Sequence, residues 1–362
     1  MKNIVIFDPK NIIFSSKSSF ERHQYYAQEL YKVDSEALLT VMTFRNVKNN
    51  IEFNLNNGKL RVHQLGLNFY SKKNRIFLSR IDTLIFGDPF ISPTLFRFLY
   101  LIHFCPKNLR IQIQFHGDFF QSKWRNSFKN RFKYFLLKIN INKATTIRLV
   151  SQKQLSGFKE AFPKYMNFVV APIVVTKSNG IIGKYGSNRP NVVGFLGRID
   201  HERGINTLES IIRLFKSESN IGFLIAGNGK LLNHLRKNVE NIDNARNVEI
   251  IGFVEQENLE ELFWSRIGIL ISTAPMESYG LTMREAVIRQ IPVLTLNNSG
   301  SLELKADFPD ACIEFYESDN ISYLVTKIPD LIKRKLSADF SYRQTTIDSD
   351  NLSKLFRSWL ST

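Results

Sequence analysis

In PMESYGLTMREA (275–286) two glutamates, Glu277 and Glu285, are separated by seven residues, with Gly280 between them. Ionised carboxylates only accept hydrogen bonds, so such a pair suits a ligand rich in hydroxyl groups. GILISTAPMESYG runs from an apolar strand into a loop, and LTMREAVIRQ has a helical period. Gly280, Leu281 and Thr282 therefore present the first amides of a helix, where partial positive charge favours a phosphate. Glu277 falls in the loop before that helix and Glu285 about one turn into it. A capped helix with solvated acids is the plainer account of any single such pair.

Other residues offer matching chemistry. In GFLGRIDHERG (194–204) a strand ends at Gly197, Arg198 follows, and Arg203 precedes Gly204. Two guanidiniums flanking a strand-to-helix turn suit a diphosphate, which each can grip bidentately; an ordinary basic turn is equally consistent. AGNGKLL (226–232) follows a strand and places Gly227 and Gly229 before a helix. It is not a dinucleotide fingerprint, because Leu232 stands where the third glycine belongs, and in isolation it reads as a tight turn. In QFHGDFF (114–120), His116 sits at the carboxyl end of a strand, where open α/β sheets place ligands; a lone histidine is more often structural. The D-x-D at Asp348-Ser349-Asp350 follows no buried strand and reads as a helix start.

The elements that must position these residues form two series. Apolar runs at 3–7, 38–44, 82–87, 111–115 and 146–150 read as buried strands, separated by helical patterns at about 19–31, 91–105, 121–139 and 152–161. After Pro190 strands at 192–197, 222–227, 248–253, 268–272 and 292–296 alternate with helices at about 205–217, 230–240, 256–265, 281–290 and 320–336. Two runs of strand–helix alternation imply two parallel-sheet α/β domains. The expected division is 1–176, a polar linker at 177–190, 191–338, and a C-terminal helix within 339–362 packing back on the first domain. Thirteen of the 18 glycines fall between Gly180 and Gly300, which makes the second domain the nucleotide binder.

Composition narrows the partners. The net charge of +16 is uneven: residues 1–190 hold 30 Lys+Arg against 10 Asp+Glu, and the remainder 19 against 23. The first domain is thus drawn to something anionic, whether nucleic acid, lipid headgroups or a phosphorylated acceptor. Cys105 and Cys312 are too far apart for a metal knuckle and too few for a disulfide scaffold, which fits a reducing compartment. MKNIVIF is too short for a signal-peptide core, and TLFRFLYLIHF (94–104) is too short to span a bilayer and contains Arg97. A cytoplasmic protein is expected.

Gly-Arg followed by a basic-Gly turn, then A-G-x-G after a strand, then G-F-V (252–254), then E-x7-E, in that order, resembles the C-terminal domain of family-four retaining glycosyltransferases of the GT-B fold. The resemblance covers about residues 190–305 well and the first domain loosely. It implies two Rossmann-like domains facing across a cleft, with a nucleotide sugar, UDP- or GDP-linked, held mostly by the second. Carried over, Arg198 and Arg203 neutralise the diphosphate, Gly280, Leu281 and Thr282 donate amides to it, Glu277 contacts the donor sugar and Glu285 the ribose. The backbone near Phe253 meets the base, and Gly197, Gly227 and Gly229 line the approach. Asn298-Ser299-Gly300-Ser301 and Glu303 fall where the family has a glycine-rich turn and an acid, and His116 where it has a histidine facing sugar and acceptor. LVSQKQL (149–155) and VVAPIVV (169–175) match a strand ending in serine and the strand leading to the linker. Two departures stand out. Arg203 replaces the family's usual lysine, keeping charge but not geometry. The glycine-rich loop expected after the first strand is replaced by glycine-free FDPKNIIFSSKSSFERHQ (7–24).

The implied reaction transfers a sugar to a hydroxyl of a glycan or lipid-linked acceptor with retention, without metal or cofactor, in bacterial surface polysaccharide synthesis. QSKWRNSFKNRFKYFLLK (121–138) interleaves basic residues with Trp124, Phe128, Phe132, Tyr134 and Phe135. At helical spacing this suits a helix in a lipid interface, hence peripheral binding to the inner face of the cell membrane. A domain helix with its stripe in the core is equally consistent. Two other readings compete: a catalytically silent sugar-nucleotide binder, suggested by the glycine-free loop, and a nucleic-acid binder using the aromatic–basic segment, which leaves E-x7-E and the arginines unexplained. No nucleic acid is expected as partner.

Overall fold

The computed structural model describes residues 2–10, 12–14, 17–44, 51–65, 71–97, 106–117, 119–120, 127–175, 189–215, 220–242, 247–334 and 340–360. The chain forms two compact units, Met1–Pro172 with Ser349–Thr362, and Ile173–Asp348.

The first unit is built on eight strands: β1 (Lys2–Phe7), β2 (Ala37–Thr43), β3 (Ile51–Asn54), β4 (Lys59–Gln64), β5 (Thr83–Phe86), β6 (Arg110–Gln114), β7 (Thr146–Leu149) and β8 (Phe168–Val170). Their order is β3-β4-β2-β1-β5-β6-β7-β8. All neighbours are parallel except β3 and β4, which form an antiparallel hairpin that the sequence reading passed over. Helices α1 (Lys17–Val33), α2 (Lys72–Leu78), α3 (Ile91–Phe96), α4 (Phe128–Ile141) and α5 (Gln152–Ala161) connect them. β5 is buried throughout and β2 nearly so, which is why they read as unbroken apolar runs: a parallel sheet is covered on both faces. Arg148 on β7 is fully buried, and its guanidinium donates to the carbonyls of Ala171 (2.7 Å) and Pro172 (3.0 Å) and to Gln114 Oε1 (3.0 Å), which satisfies a charge that burial would otherwise penalise.

The second unit is an all-parallel six-stranded sheet of β9 (Val192–Leu196), β10 (Gly222–Ala226), β11 (Val248–Gly252), β12 (Ile269–Ser272), β13 (Val293–Leu296) and β14 (Ile313–Tyr316). The order is β11-β10-β9-β12-β13-β14. Its helices are α6 (Ile205–Leu214), α7 (Leu232–Glu240), α8 (Leu259–Leu262), α9 (Leu281–Ile288), α10 (Ser299–Asp307) and α11 (Leu324–Lys333). α6 buries Ile205, Leu208, Ile211 and Ile212, the stripe that a 3.6-residue period places on one face.

Several expected elements differ. The helix expected at 256–265 is broken into a 3-10 turn at Gln256–Asn258, α8, and a second 3-10 turn at Trp264–Arg266. The helix expected over 91–105 ends at Phe96, with 98–105 outside the described residues, as are Cys105, 121–126 and most of the linker. The C-terminal helix α12 (Ser341–Leu360) begins seven residues before Asp348, so Asp348 is interior and not a helix start. Its Oδ1 accepts instead from Gln344 Nε2 (2.9 Å) and from the amide of Val175 (3.3 Å). Residues 341–348 of α12 belong to the second unit and the remainder to the first. There Trp359 is buried, donating Nε1–H to Gln112 Oε1 (2.8 Å) and accepting at its carbonyl from Thr83 Oγ1 (2.8 Å). Among the described residues no helix is long and apolar enough to cross a membrane.

Candidate active site

In the second unit the chain reverses its direction of travel across the sheet between β9 and β12. Crossovers lead outward to β10 and β11 on one side and to β13 and β14 on the other, so the carboxyl ends of β9 and β12 flank an uncovered crevice. A small open cavity lies there, lined by β9 and β12 and by Thr273, Arg203, Glu277, Gly280, Thr282 and Met283.

Backbone constraints set the floor. Arg203 ends a 3-10 turn, and Gly204 follows at φ +67°, where a Cβ would meet the Thr273 carbonyl oxygen at 1.9 Å. Buried Thr273 returns a hydrogen bond from Oγ1 to the carbonyl of Arg203 (2.7 Å). Only glycine fits that approach, and it locks the turn carrying Arg203 against the end of β12. The loop from Ala274 to Gly280 is braced from α10. Asn298 caps that helix, accepts from the Ser301 amide (2.9 Å) and donates Nδ2–H to the Ala274 carbonyl (3.0 Å), while the Gly300 amide donates to the Glu277 carbonyl (2.6 Å). A Cβ on Gly300 would stand 2.9 Å from the Glu277 Cγ.

These braces bring two residues 74 positions apart into direct contact: Arg203 Nη1 is ion-paired with Glu277 Oε2, and Glu277 Oε1 accepts from the Ser278 amide (3.1 Å). Beside them Gly280, at φ +75°, caps α9, whose first amides by geometry have no partner within the helix. The cavity thus gathers a cation, a carboxylate and the positive end of a helix. Beneath it lies Arg284, fully buried, paired with Asp307 (2.5 Å) and stacked 3.8 Å over the Tyr279 ring, which holds the residue before Gly280 in place. Burial pushes the Tyr279 phenol up to about 12, so it stays protonated.

Along the same strand ends, β9 to β11 meet backbone to backbone. Gly197 donates to the Ala226 carbonyl (3.1 Å) and Gly227 to that of Gly252 (2.6 Å). A Cβ on Gly227 would lie 1.8 Å from the Gly197 oxygen, and one on Gly229 2.2 Å from the Ile199 oxygen, so both glycines serve close chain packing. Phe253 is exposed just past β11. With strands ~4.8 Å apart, it lies three spacings, or ~14 Å, from the end of β12.

Of the residues singled out in the sequence, the cavity collects Arg203, Glu277, Gly280 and Thr282. Arg198 is not among them: its side chain is 61% exposed and paired with Asp200 and Glu202, each at 2.9 Å. Leu281 and Glu285 on α9 also stand off the lining, Glu285 accepting at its carbonyl from Arg289 (2.8 Å). Asn298 to Ser301, read as a glycine-rich turn, instead open α10 through a capping box. Thr273 and Arg284 escaped the sequence reading, since neither belongs to a local pattern. His116 belongs to the first unit, past the end of β6. Desolvation by the protein around it, then the charges of Arg148 and Arg22, push its pKa down to about 3, so the imidazole is neutral near pH 7. Asp118 lies outside the described residues. Among the described residues no three His, Cys, Asp or Glu side chains converge as metal ligands would.

Comparison with known proteins agrees with this geometry. Residues 179–345 match the family model for glycosyl transferases group 1. The chain is 24% identical over 257 residues to the poly(ribitol-phosphate) alpha-N-acetylglucosaminyltransferase of Staphylococcus aureus, spanning 69% of this chain and 49% of that protein. It is 25% identical over 146 residues to the alpha-monoglucosyldiacylglycerol synthase of Streptococcus pneumoniae, 39% of this chain and 33% of the relative. The chain therefore spans about half or less of the length of these relatives. Among solved structures, S. aureus TarM crystallised with UDP, alpha-GlcNAc-glycerol and fondaparinux superposes over 100% of both chains with a TM-score of 0.70 at 15% identity, a likeness of fold. The second unit, with its crevice at the strand reversal, is thus similar to the glycosyl transferases of group 1, and the two Rossmann-like sheets share the fold of the solved glycosyltransferase.

Proposed function

We propose that the protein transfers a sugar from a nucleotide-sugar donor to a hydroxyl of a glycan or lipid-linked acceptor, with retention, in the building of a cell-surface polymer. The observation that carries this reading is the cavity at the β9–β12 switch, where Arg203, Glu277 and the amino end of α9 converge. Breaking the bond between sugar and diphosphate develops negative charge on the leaving group and positive character on the sugar. In this reading Arg203 and the Gly280, Leu281 and Thr282 amides would meet the first, and the Glu277 carboxylate the second. Arg198 joins them only by leaving Asp200 and Glu202.

Retention needs no protein nucleophile if the acceptor hydroxyl attacks from the face the diphosphate leaves and passes its proton to a phosphate oxygen. Both named relatives make alpha linkages, which from an alpha-linked donor is retention. The reading calls for neither metal nor cofactor, since side chains and amides meet the diphosphate. Uridine is favoured as the base, because TarM binds UDP. A second reading, a sugar-nucleotide binder without turnover, is favoured by the glycine-free segment 7–24 in the first unit.

The test is a thermal-shift series with UDP, GDP and other nucleotides, followed by donor hydrolysis and transfer with the product anomer read by NMR. Nucleotide stabilisation with turnover unaffected by chelators is expected. Glu277→Gln frees Arg203 for the diphosphate, so it should keep the UDP shift while losing most turnover. Stabilisation without turnover in the native chain selects the silent binder, and full transfer by Glu277→Gln removes Glu277 from the reaction.

A further inference from the structure

The first unit carries a surface that the second unit's chemistry does not use. On α4 the side chains of Phe128, Phe132, Phe135 and Ile139 are 87%, 56%, 57% and 40% exposed. At about 100° per residue these four fall within an arc of roughly 60° and a length of ~16 Å. The opposite face is committed to the unit: Leu137 and Ile141 are buried, and Asn140 donates Nδ2–H to the carbonyls of Phe90 (2.8 Å) and Pro89 (3.1 Å). The inward contacts fix the rotation of the helix, so the aromatic row faces outward by construction. The exposed parts of three phenylalanines amount to about 400 Å² of apolar surface, as large as the biggest patch on an ordinary monomer.

The charges beside the row indicate what covers it. α4 carries Lys129, Arg131, Lys133 and Lys138 and no acid. Arg131 and Lys138 are exposed along one flank of the row and Lys129 on the other, while Lys133 turns inward over the Phe90 ring at 5.5 Å. A second copy docked face to face would set these cations against their own kind. An anionic lipid surface matches both features, taking the phenyl rings below the headgroups and the flanking cations at headgroup level. We propose that α4 is a membrane-docking helix that lies in the interface of an anionic bilayer through Phe128, Phe132, Phe135 and Ile139, with Lys129, Arg131 and Lys138 on the lipid phosphates. This holds whatever reaction the second unit performs.

The test is co-sedimentation of the full chain with vesicles of phosphatidylcholine alone and with added phosphatidylglycerol, at low and high salt. Binding to the anionic vesicles that weakens with salt is expected. The triple variant Phe128→Ser, Phe132→Ser, Phe135→Ser should bind about tenfold or more weakly while keeping the native melting temperature and UDP shift, because among the described residues none of those rings belongs to the core of the unit. Changing Lys129, Arg131 and Lys138 to Gln should remove the preference for anionic lipid. Absence of vesicle binding, or equal binding by the triple variant, overturns the proposal. So does a lipid-free dimer that the triple variant dissolves, which makes the row a self-interface. Retention on a single-stranded oligonucleotide through the same rings, without vesicle binding, assigns the face to nucleic acid instead.

Discussion

Replacing Gly204 by alanine should unlock the candidate site. At φ +67° a side-chain-bearing residue pays ~1–2 kcal/mol for the left-handed conformation. The added methyl would also begin 1.9 Å from the Thr273 carbonyl oxygen, and contacts under 3.0 Å are essentially never seen, so the turn must retreat by about 1 Å. No rotamer relieves this, since both partners are backbone or Cβ. Overpacking adds ~1–3 kcal/mol, for a total of ~3 kcal/mol, and in a unit of this size that lowers the melting temperature by roughly 6–12 °C. The retreat carries Arg203 with it, and a misplacement of about 1 Å at a charge-stabilising group costs on the order of 10² in turnover. Calorimetry with and without UDP, beside donor hydrolysis, measures both. Gly197→Ala is the control: a Cβ there meets nothing within 4 Å, so its stability should change by less than about 0.5 kcal/mol. Equal melting temperatures and UDP shifts for Gly204→Ala and the native chain would refute the argument that this backbone contact positions Arg203.

Three further outcomes follow from the first unit and the loop beneath the site. His63, buried on β4 and stacked 3.7 Å from Phe77, has its pKa pushed down from 6.5 to about 4, chiefly by burial. The unfolded chain therefore takes up the proton first, so stability is full above pH ~6.5 and falls toward pH ~4, and His63→Gln should flatten the urea midpoint across that window. Trp359→Ala removes a buried ring against Tyr26 and Phe356 and should cost ~3–5 kcal/mol, read as faster hydrogen exchange in β5 and β6 with the UDP shift retained. Arg284→Met removes the guanidinium stacked on Tyr279 and should weaken the UDP shift although Arg284 is not among the residues lining the cavity, whereas an unchanged shift would show that α10 alone holds the loop.

How much of this was legible follows from what each feature depends on. VVGFLG and GFLIAG announce β9 and β10 because a parallel strand is covered on both faces, which leaves an apolar run of the right length. β3 has no such cover: its residues are exposed or half-exposed, so the only signal was the turn pair Asn57-Gly58, with Gly58 at φ +84°. α10 looked like a loop because glycine and serine crowd its start, although Asn298 and Ser301 stand at the spacing of a capping box. Arg198 and Arg203 looked equivalent as diphosphate ligands. The acids two and four residues beyond Arg198 were in plain view, and both lie within reach of its guanidinium at the start of the turn. The contact between Arg203 and Glu277 was beyond any local pattern, since it depends on which strand ends meet at the sheet's reversal.

That contact also explains how one small cavity can hold residues of opposite charge. Left alone, a half-buried arginine and a carboxylate each lose solvation, and pairing them offsets that cost. A diphosphate is the stronger partner for the guanidinium, because it brings more negative charge and accepts bidentately. On the proposed function its arrival would free the Glu277 carboxylate as the sugar hydroxyls come within reach, and the acid would be unmasked only when there is something for it to hold. The backbone braces at Gly204, Thr273, Asn298 and Gly300 would sharpen such an exchange, because they hold the turns that carry the two side chains while leaving the side chains able to change partners.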